Sequence, residues 1–105
     1  MTDKLISIAR KKAQQSSSRY RISAIALDKN GNVIATAFNQ PRFNRKGGGV
    51  HAEILALRKG GPKTHSIVLC RIGQSGALLD INPCEHCKRI LDKFKIKVYS
   101  IENKE

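Results

Sequence analysis

Residues 65 to 72 read "HSIVLCRI", a near-continuous apolar run. Runs of that kind belong to strands covered on both faces, where alternation with polar residues serves no purpose. The segment therefore predicts a central strand between two layers of helix. Toward the C-terminus, a polar loop over 73–82 leads to a helix opened by Pro83, with Cys87, Ile90, Leu91 and Phe94 as its inward stripe. "IKVYSI", 96–101, then alternates as a strand. Two strands joined through one helix predict a parallel pair with a right-handed crossover.

Toward the N-terminus, a helix from His51 to about Lys59 is stopped by Gly60, Gly61 and Pro62. A polar loop, "QPRFNRKGGGV" over 40–50, precedes it. Before that, "YRISAIAL", 20–27, and "VIATAFN", 33–39, flank "DKNGN", whose Asn30-Gly31 pair is a strong hairpin signal, so these strands should be antiparallel. Thr2 can cap a first helix carrying Leu5, Ile8, Ala9 and Ala13 at helical spacing, which ends in the serine run 16–18. The order α-β-β-α-β-α-β predicts an α/β fold, a three-layer α/β/α sandwich over a mixed sheet of about four strands.

The 105 residues fit one domain, 1–105, able to bury about 65% of its unfolded surface. No stretch has the apolar length of a secretory signal or a bilayer span, so a cytoplasmic, reducing setting is expected and a membrane role is excluded. Three cysteines, two of them in "CEHC", favour metal or redox chemistry over a disulfide framework in such a setting. Twenty Lys and Arg against eight Asp and Glu give a net charge of +12, spread along the whole chain. That excess gathers polyanions, although a surface charged only for solubility would look the same. With three Phe, two Tyr and no Trp, stacking platforms for bases are few.

The chemistry sits in "GGGVHAEILALRKGG", 47–61, and "NPCEHC", 82–87. Catalytic zinc takes three protein donors, imidazole nitrogen and thiolate among them, and keeps a fourth position open. His51, Cys84 and Cys87 supply that set. One helix, one strand and one loop separate His51 from Cys84, so both groups can stand at helix N-termini on one edge of the sheet, where anions such as thiolates are stabilised. Glu53, the sole acid between Asp28 and Asp80, stands one residue beyond Ala52 on the first helical turn and suits a general acid/base near the metal. Plainer readings exist for each residue: a redox C-x-x-C, a capping histidine, a glutamate placed for the helix dipole at about 0.3–1 kcal/mol. A zinc-stabilised nucleic-acid-binding module without catalysis, closed by Cys70 or His86, is a further reading.

His-x-Glu followed by Pro-Cys-x-x-Cys is the signature of zinc deaminases, and the chain resembles the zinc-dependent cytidine/deoxycytidylate deaminase superfamily from its first helix to its last strand. The resemblance implies that His51, Cys84 and Cys87 bind zinc and that Glu53 moves protons between water and the base. It also implies that Asn39, in "AFNQP" at 37–41, contacts the target nucleoside. Ala52 then offers a backbone N–H to the base carbonyl, and Asn82 a backbone carbonyl to the leaving amino group. The chain departs from the pattern where members usually add a fifth strand, since it stops after 96–101 with "ENKE".

Three substrates compete. "HAEILALRKGG" is similar to bacterial tRNA adenosine deaminases, whereas "NPCEHCKRILDKFKIKVYSI" resembles short phage and viral proteins classed with deoxycytidylate deaminases. The charge of +12 suits a groove that follows a nucleic-acid backbone better than a clamp for one phosphate. Cytosine in single-stranded nucleic acid, DNA ahead of RNA, is therefore the expected substrate, with free deoxycytidylate or cytidine second. In the 40–50 loop, Arg42, Arg45 and Lys46 are expected to meet phosphates and Phe43 to stack on a base. The strand at 96–101 should be an edge guarded by Lys95 and Lys97, in a monomer ahead of a homodimer.

Overall fold

The computed structural model describes residues 3–17, 21–39, 51–81 and 85–101. Among them are three α-helices, α1 (Asp3–Gln14), α2 (Ala52–Gly60) and α3 (Glu85–Lys93). Five strands form one mixed sheet: β1 (Arg21–Leu27), β2 (Val33–Phe38), β3 (Ser66–Ile72), β4 (Leu78–Leu79) and β5 (Lys97–Ser100). No helix among the described residues is long and apolar enough to cross a membrane.

Strand β3 is the centre. It pairs antiparallel with β1 along its whole length, from Leu27 opposite Ser66 to Arg21 opposite Ile72. On its other edge it pairs parallel with β5, and then antiparallel with β4 at Arg71 and Ile72. Its side chains serve both faces. Ile67 and Leu69 join Ala24, Ala26, Ala52, Ala56 and Leu91 in the core beneath α2 and α3. Val68, Cys70 and Ile72 join Ile25, Ala9 and Ala13 in the core beneath α1. Alanines at the α2 contact let that helix lie close to the sheet, and the Ser23 hydroxyl ties α1 down by donating to the Ala9 carbonyl at 2.7 Å.

The hairpin of β1 and β2 turns at Asp28–Asn32, where Gly31 takes a positive φ of 83°. Asp28 Oδ1 accepts from the backbone N–H groups of Asn30 and Asn32, both at 2.9 Å. This turn is an Asx device in which the aspartate replaces missing ladder partners.

Two features differ from the sequence reading. The loop over 73–82 contains β4: the chain reverses through Gly73–Ala77, with Gly76 at φ 86°, and two leucines extend the β3 ladder. Two residues are too few to show alternation, which is why the sheet has five strands where about four were expected. Phe94, expected on the inward stripe of α3, is 61% exposed. Helix α3 ends at Lys93, and Lys95 turns the chain with φ 58°. Ile96 N–H then donates to Leu91 O, and Lys95 N–H to Asp92 O, which is the Schellman ending. Its usual apolar contact joins Ile96 to Leu91, so Phe94 is carried past the core. The ending normally uses glycine at the left-handed position, and here a lysine holds it.

The turn carries a pH signature. The hydrogen bond from the Asn32 backbone N–H, joined by that of Asn30, holds the Asp28 carboxyl below its usual value of 3.8, against an opposing effect of desolvation. A depressed carboxyl contributes stability above its unfolded pKa and loses it as pH falls through the folded one. Asp28→Ala should therefore lower the Tm at pH 7, and the gap from wild type should close as the pH is taken below about 3.8.

Candidate functional site

Topology assembles one end of the sheet. Helix α2 runs into β3 and α3 follows it, so both helix N-termini stand over the C-terminal end of β3. His51 occupies the N-cap of α2 in extended conformation (φ −74°, ψ 138°) without making a side-chain cap bond. Its backbone carbonyl accepts from Leu55 N–H, the first bond of the helix. The imidazole is 46% exposed, with its Nδ1 on the side of Glu53.

Glu53, in the first turn of α2, is 4% exposed, and Cys87, in the first turn of α3, is 1% exposed. The donor atoms of His51, Glu53 and Cys87 all lie within 4.8 Å of one another, with His51 Nδ1 at 4.0 Å from Glu53 Oε1. A buried carboxyl group and a buried thiol beside an imidazole form a donor set rich in anionic capacity. Burying such groups is costly unless a cation or hydrogen-bond donors compensate them, and the two helix N-termini contribute to that compensation. Nitrogen and sulfur donors at this spacing fit zinc, with Glu53 near enough to act beside the metal.

Cys84, the other expected ligand, lies outside the described residues, as do Asn82, Arg42, Phe43, Arg45 and Lys46. Asn39 is described, and it comes to the same end of the sheet. Its N–H donates to Ile22 O at 2.9 Å, and its Oδ1 accepts from Ile22 N–H at 2.9 Å. Ile22 lies opposite Arg71 at the end of β3. The buried Ser16 hydroxyl reaches Asn39 Oδ1 at 2.8 Å and Asn39 O at 3.0 Å. Asn39 is therefore a clamped strand end, with its amide orientation fixed by Ser16 and Ile22. The sequence reading did not single out Ser16, because a hydroxyl within a serine run carries no periodic or spacing signal. Ala52 is fully buried at the first helical position, where an N–H has no intrahelical acceptor.

Cys70 does not close the site. It is fully buried in the core beneath α1, on the sheet face opposite α2 and α3. Burial raises its thiol pKa, more than a hydrogen bond with Ser23 and the charge of Arg10 lower it, so it behaves as a small apolar side chain. His86 is exposed on α3 and is not part of the cluster. The fourth donor that a closed structural zinc site would take from Cys70 or His86 is thus absent from the group.

Residues 1–102 match the family described as the cytidine and deoxycytidylate deaminase zinc-binding region. No curated protein sequence matches the chain. Among solved structures, the fold is similar to the cytidine deaminase of Burkholderia pseudomallei, with TM-score 0.67 and 19% identity over 98% of this chain and 88% of that one. It is also similar to the cytidine deaminase of Mycobacterium leprae, with TM-score 0.64 and 19% identity over 93% and 87%. The dCMP deaminase of cyanophage S-TIM5 matches with TM-score 0.54 and 19% identity over 100% and 88%. At these identities the likeness is one of fold.

The two described cysteines should separate cleanly. Cys87→Ala is expected to lose both bound zinc and thermal stability, since metal binding energy is partly folding energy. Cys70→Ala is expected to keep wild-type zinc content while losing stability to the cavity it leaves. Metal analysis of the purified variants, beside their Tm values, checks both outcomes.

Proposed function

The chain belongs to the cytidine and deoxycytidylate deaminase family and is a zinc-dependent hydrolytic deaminase; on that premise we propose that it converts cytosine to uracil in single-stranded nucleic acid, DNA ahead of RNA. The approach of Glu53 to His51 and Cys87 supports the chemistry. The net charge of +12 supports the polymeric substrate.

In this reading His51, Cys84 and Cys87 hold the metal. Zinc in such a site supplies Lewis-acid activation of water at neutral pH. Glu53 takes a proton from the attacking water and delivers it to the ring nitrogen of the base, then takes the remaining proton of the hydroxyl added at the ring carbon and hands it to the departing amino group, so that a carbonyl is left behind. The water oxygen bonds to the ring carbon that carries the amino group, the C–N bond breaks, and ammonia leaves. Burial of Glu53 keeps this proton from bulk solvent, while the exposed His51 marks the open side by which a base enters. The Ala52 N–H and the Asn82 carbonyl orient the base, and Asn39 contacts the target nucleoside. Arg42, Arg45 and Lys46 contact phosphates and Phe43 stacks on a neighbouring base. A cytoplasmic, reducing setting is part of this reading, one in which the thiols of "CEHC" stay available to a metal.

Free deoxycytidylate is the second reading, favoured by the family description, which names deoxycytidylate deaminases. Product analysis separates the two. The zinc-loaded protein should convert cytosine in a single-stranded oligonucleotide faster than in deoxycytidylate or cytidine, read by mass spectrometry of the bases. Faster turnover of deoxycytidylate would select the second reading. Glu53→Gln should keep one zinc and a folded domain while activity falls by about 10² or more, and retained activity would remove Glu53 from this role. Neutralising Arg42, Arg45 and Lys46 together should flatten the salt dependence of oligonucleotide binding by up to about 0.7 log unit for each lost phosphate contact.

A further inference from the structure

A groove of about 620 Å³ runs between α3 and the outer edge of β5. Lys88 and Asp92 on α3, Lys95 at the turn, and Lys97 and Tyr99 on β5 line it. Three lysines against one aspartate make it cationic. Tyr99 is 49% exposed there, one of three large hydrophobic side chains left in water among the described residues. Lys88 directly follows the buried Cys87, so the groove begins beside the metal-binding end of the molecule.

Two observations set this groove apart from an ordinary charged surface. Lys95 holds a left-handed conformation (φ 58°) that glycine adopts without steric cost. A side chain kept at such a position commonly has a task outside the fold. Further, β5 is the border of the sheet among the described residues, with backbone groups available along its outer edge. A second copy of this chain pairing there would set Lys95 and Lys97 against equivalent lysines, between two bodies of net charge +12, which is repulsive. A polyanion meets no such opposition. Lys97 and Tyr99 share one side of β5, about 7 Å apart, so a phosphate and a neighbouring unpaired base are met by adjacent residues of the same strand side.

We propose that the α3–β5 groove binds the backbone of single-stranded nucleic acid, with Lys88, Lys95 and Lys97 on phosphates and Tyr99 stacked on a base, beyond the nucleotide held at the metal. The proposal rests on the polynucleotide reading of the substrate.

The test uses a fluorescent oligothymidylate, which contains no cytosine and so reports binding without turnover, titrated between 50 and 200 mM salt. The wild type should bind with a steep salt dependence. Lys88→Gln, Lys95→Gly and Lys97→Gln combined should weaken binding about tenfold or more and reduce the slope by about two log units, about 0.7 for each of three contacts. Tyr99→Ala should weaken binding with the slope unchanged. Lys95→Gly alone should raise the Tm, by relieving the turn, and still weaken binding, a combination that a purely structural lysine would not give. An unchanged slope in the triple variant, with tight wild-type binding, would overturn the groove and leave the polynucleotide reading standing. Failure of the wild type to bind oligothymidylate, with turnover confined to deoxycytidylate, would overturn both. A dimer in sedimentation equilibrium that Tyr99→Arg disperses would show the groove to be covered by a second copy and would also overturn it.

Discussion

Everything in this molecule hangs on a strand that has no solvent face. β3 is hydrogen-bonded along both edges and covered by helix on both sides, so its apolar residues are all engaged: Ile67 and Leu69 beneath α2 and α3, Val68, Cys70 and Ile72 beneath α1. Burial of an aliphatic side chain contributes about 1.5–3 kcal/mol, and one short strand collects several such contributions. Once β3 is fixed, the helices before and after it have little choice. Helix α2 lies over β1 and β2 and α3 against β5, the neighbours of β3, and both bring their N-termini to the same end, so His51, Glu53 and Cys87 meet although the β3–β4 hairpin separates them in sequence.

The architecture was legible because its signals are long and locally consistent. The run at 65–72, the Asn-Gly hairpin and the apolar spacing of α1 and α3 each match the element that forms, with boundaries shifted by one or two residues. What escaped was decided by geometry that no period encodes. β4 is two leucines that pair only because Gly76 lets the chain reverse. Phe94 falls on the right helical phase, yet the Schellman turn one residue later points it away from the core. That turn was itself hard to read, since a lysine stands where glycine marks such endings.

The candidate site shows the same division. The donor atoms of His51, Glu53 and Cys87 lie together at two helix starts, and the motifs that carry them were visible because helix starts and motif spacing are properties of contiguous sequence. The bonds around Asn39 are of another kind. Ser16 and Ile22 reach it from two elements distant in sequence, so the way its amide is held emerges only in the folded chain. The opposite placement of Cys70 likewise follows from strand parity. Three residues from Ile67, it faces α1, and no count of cysteines would have assigned it to that side.

The central proposal is that one zinc is held by His51, Cys84 and Cys87, with Glu53 beside it and Cys70 apart from it. X-ray absorption at the zinc edge measures the donor set directly, because Zn–S distances of about 2.3 Å and Zn–N or Zn–O distances of about 2.0–2.2 Å resolve as separate shells. The account predicts two sulfur neighbours and two lighter ones, one of which is imidazole. One sulfur, or three, would contradict it.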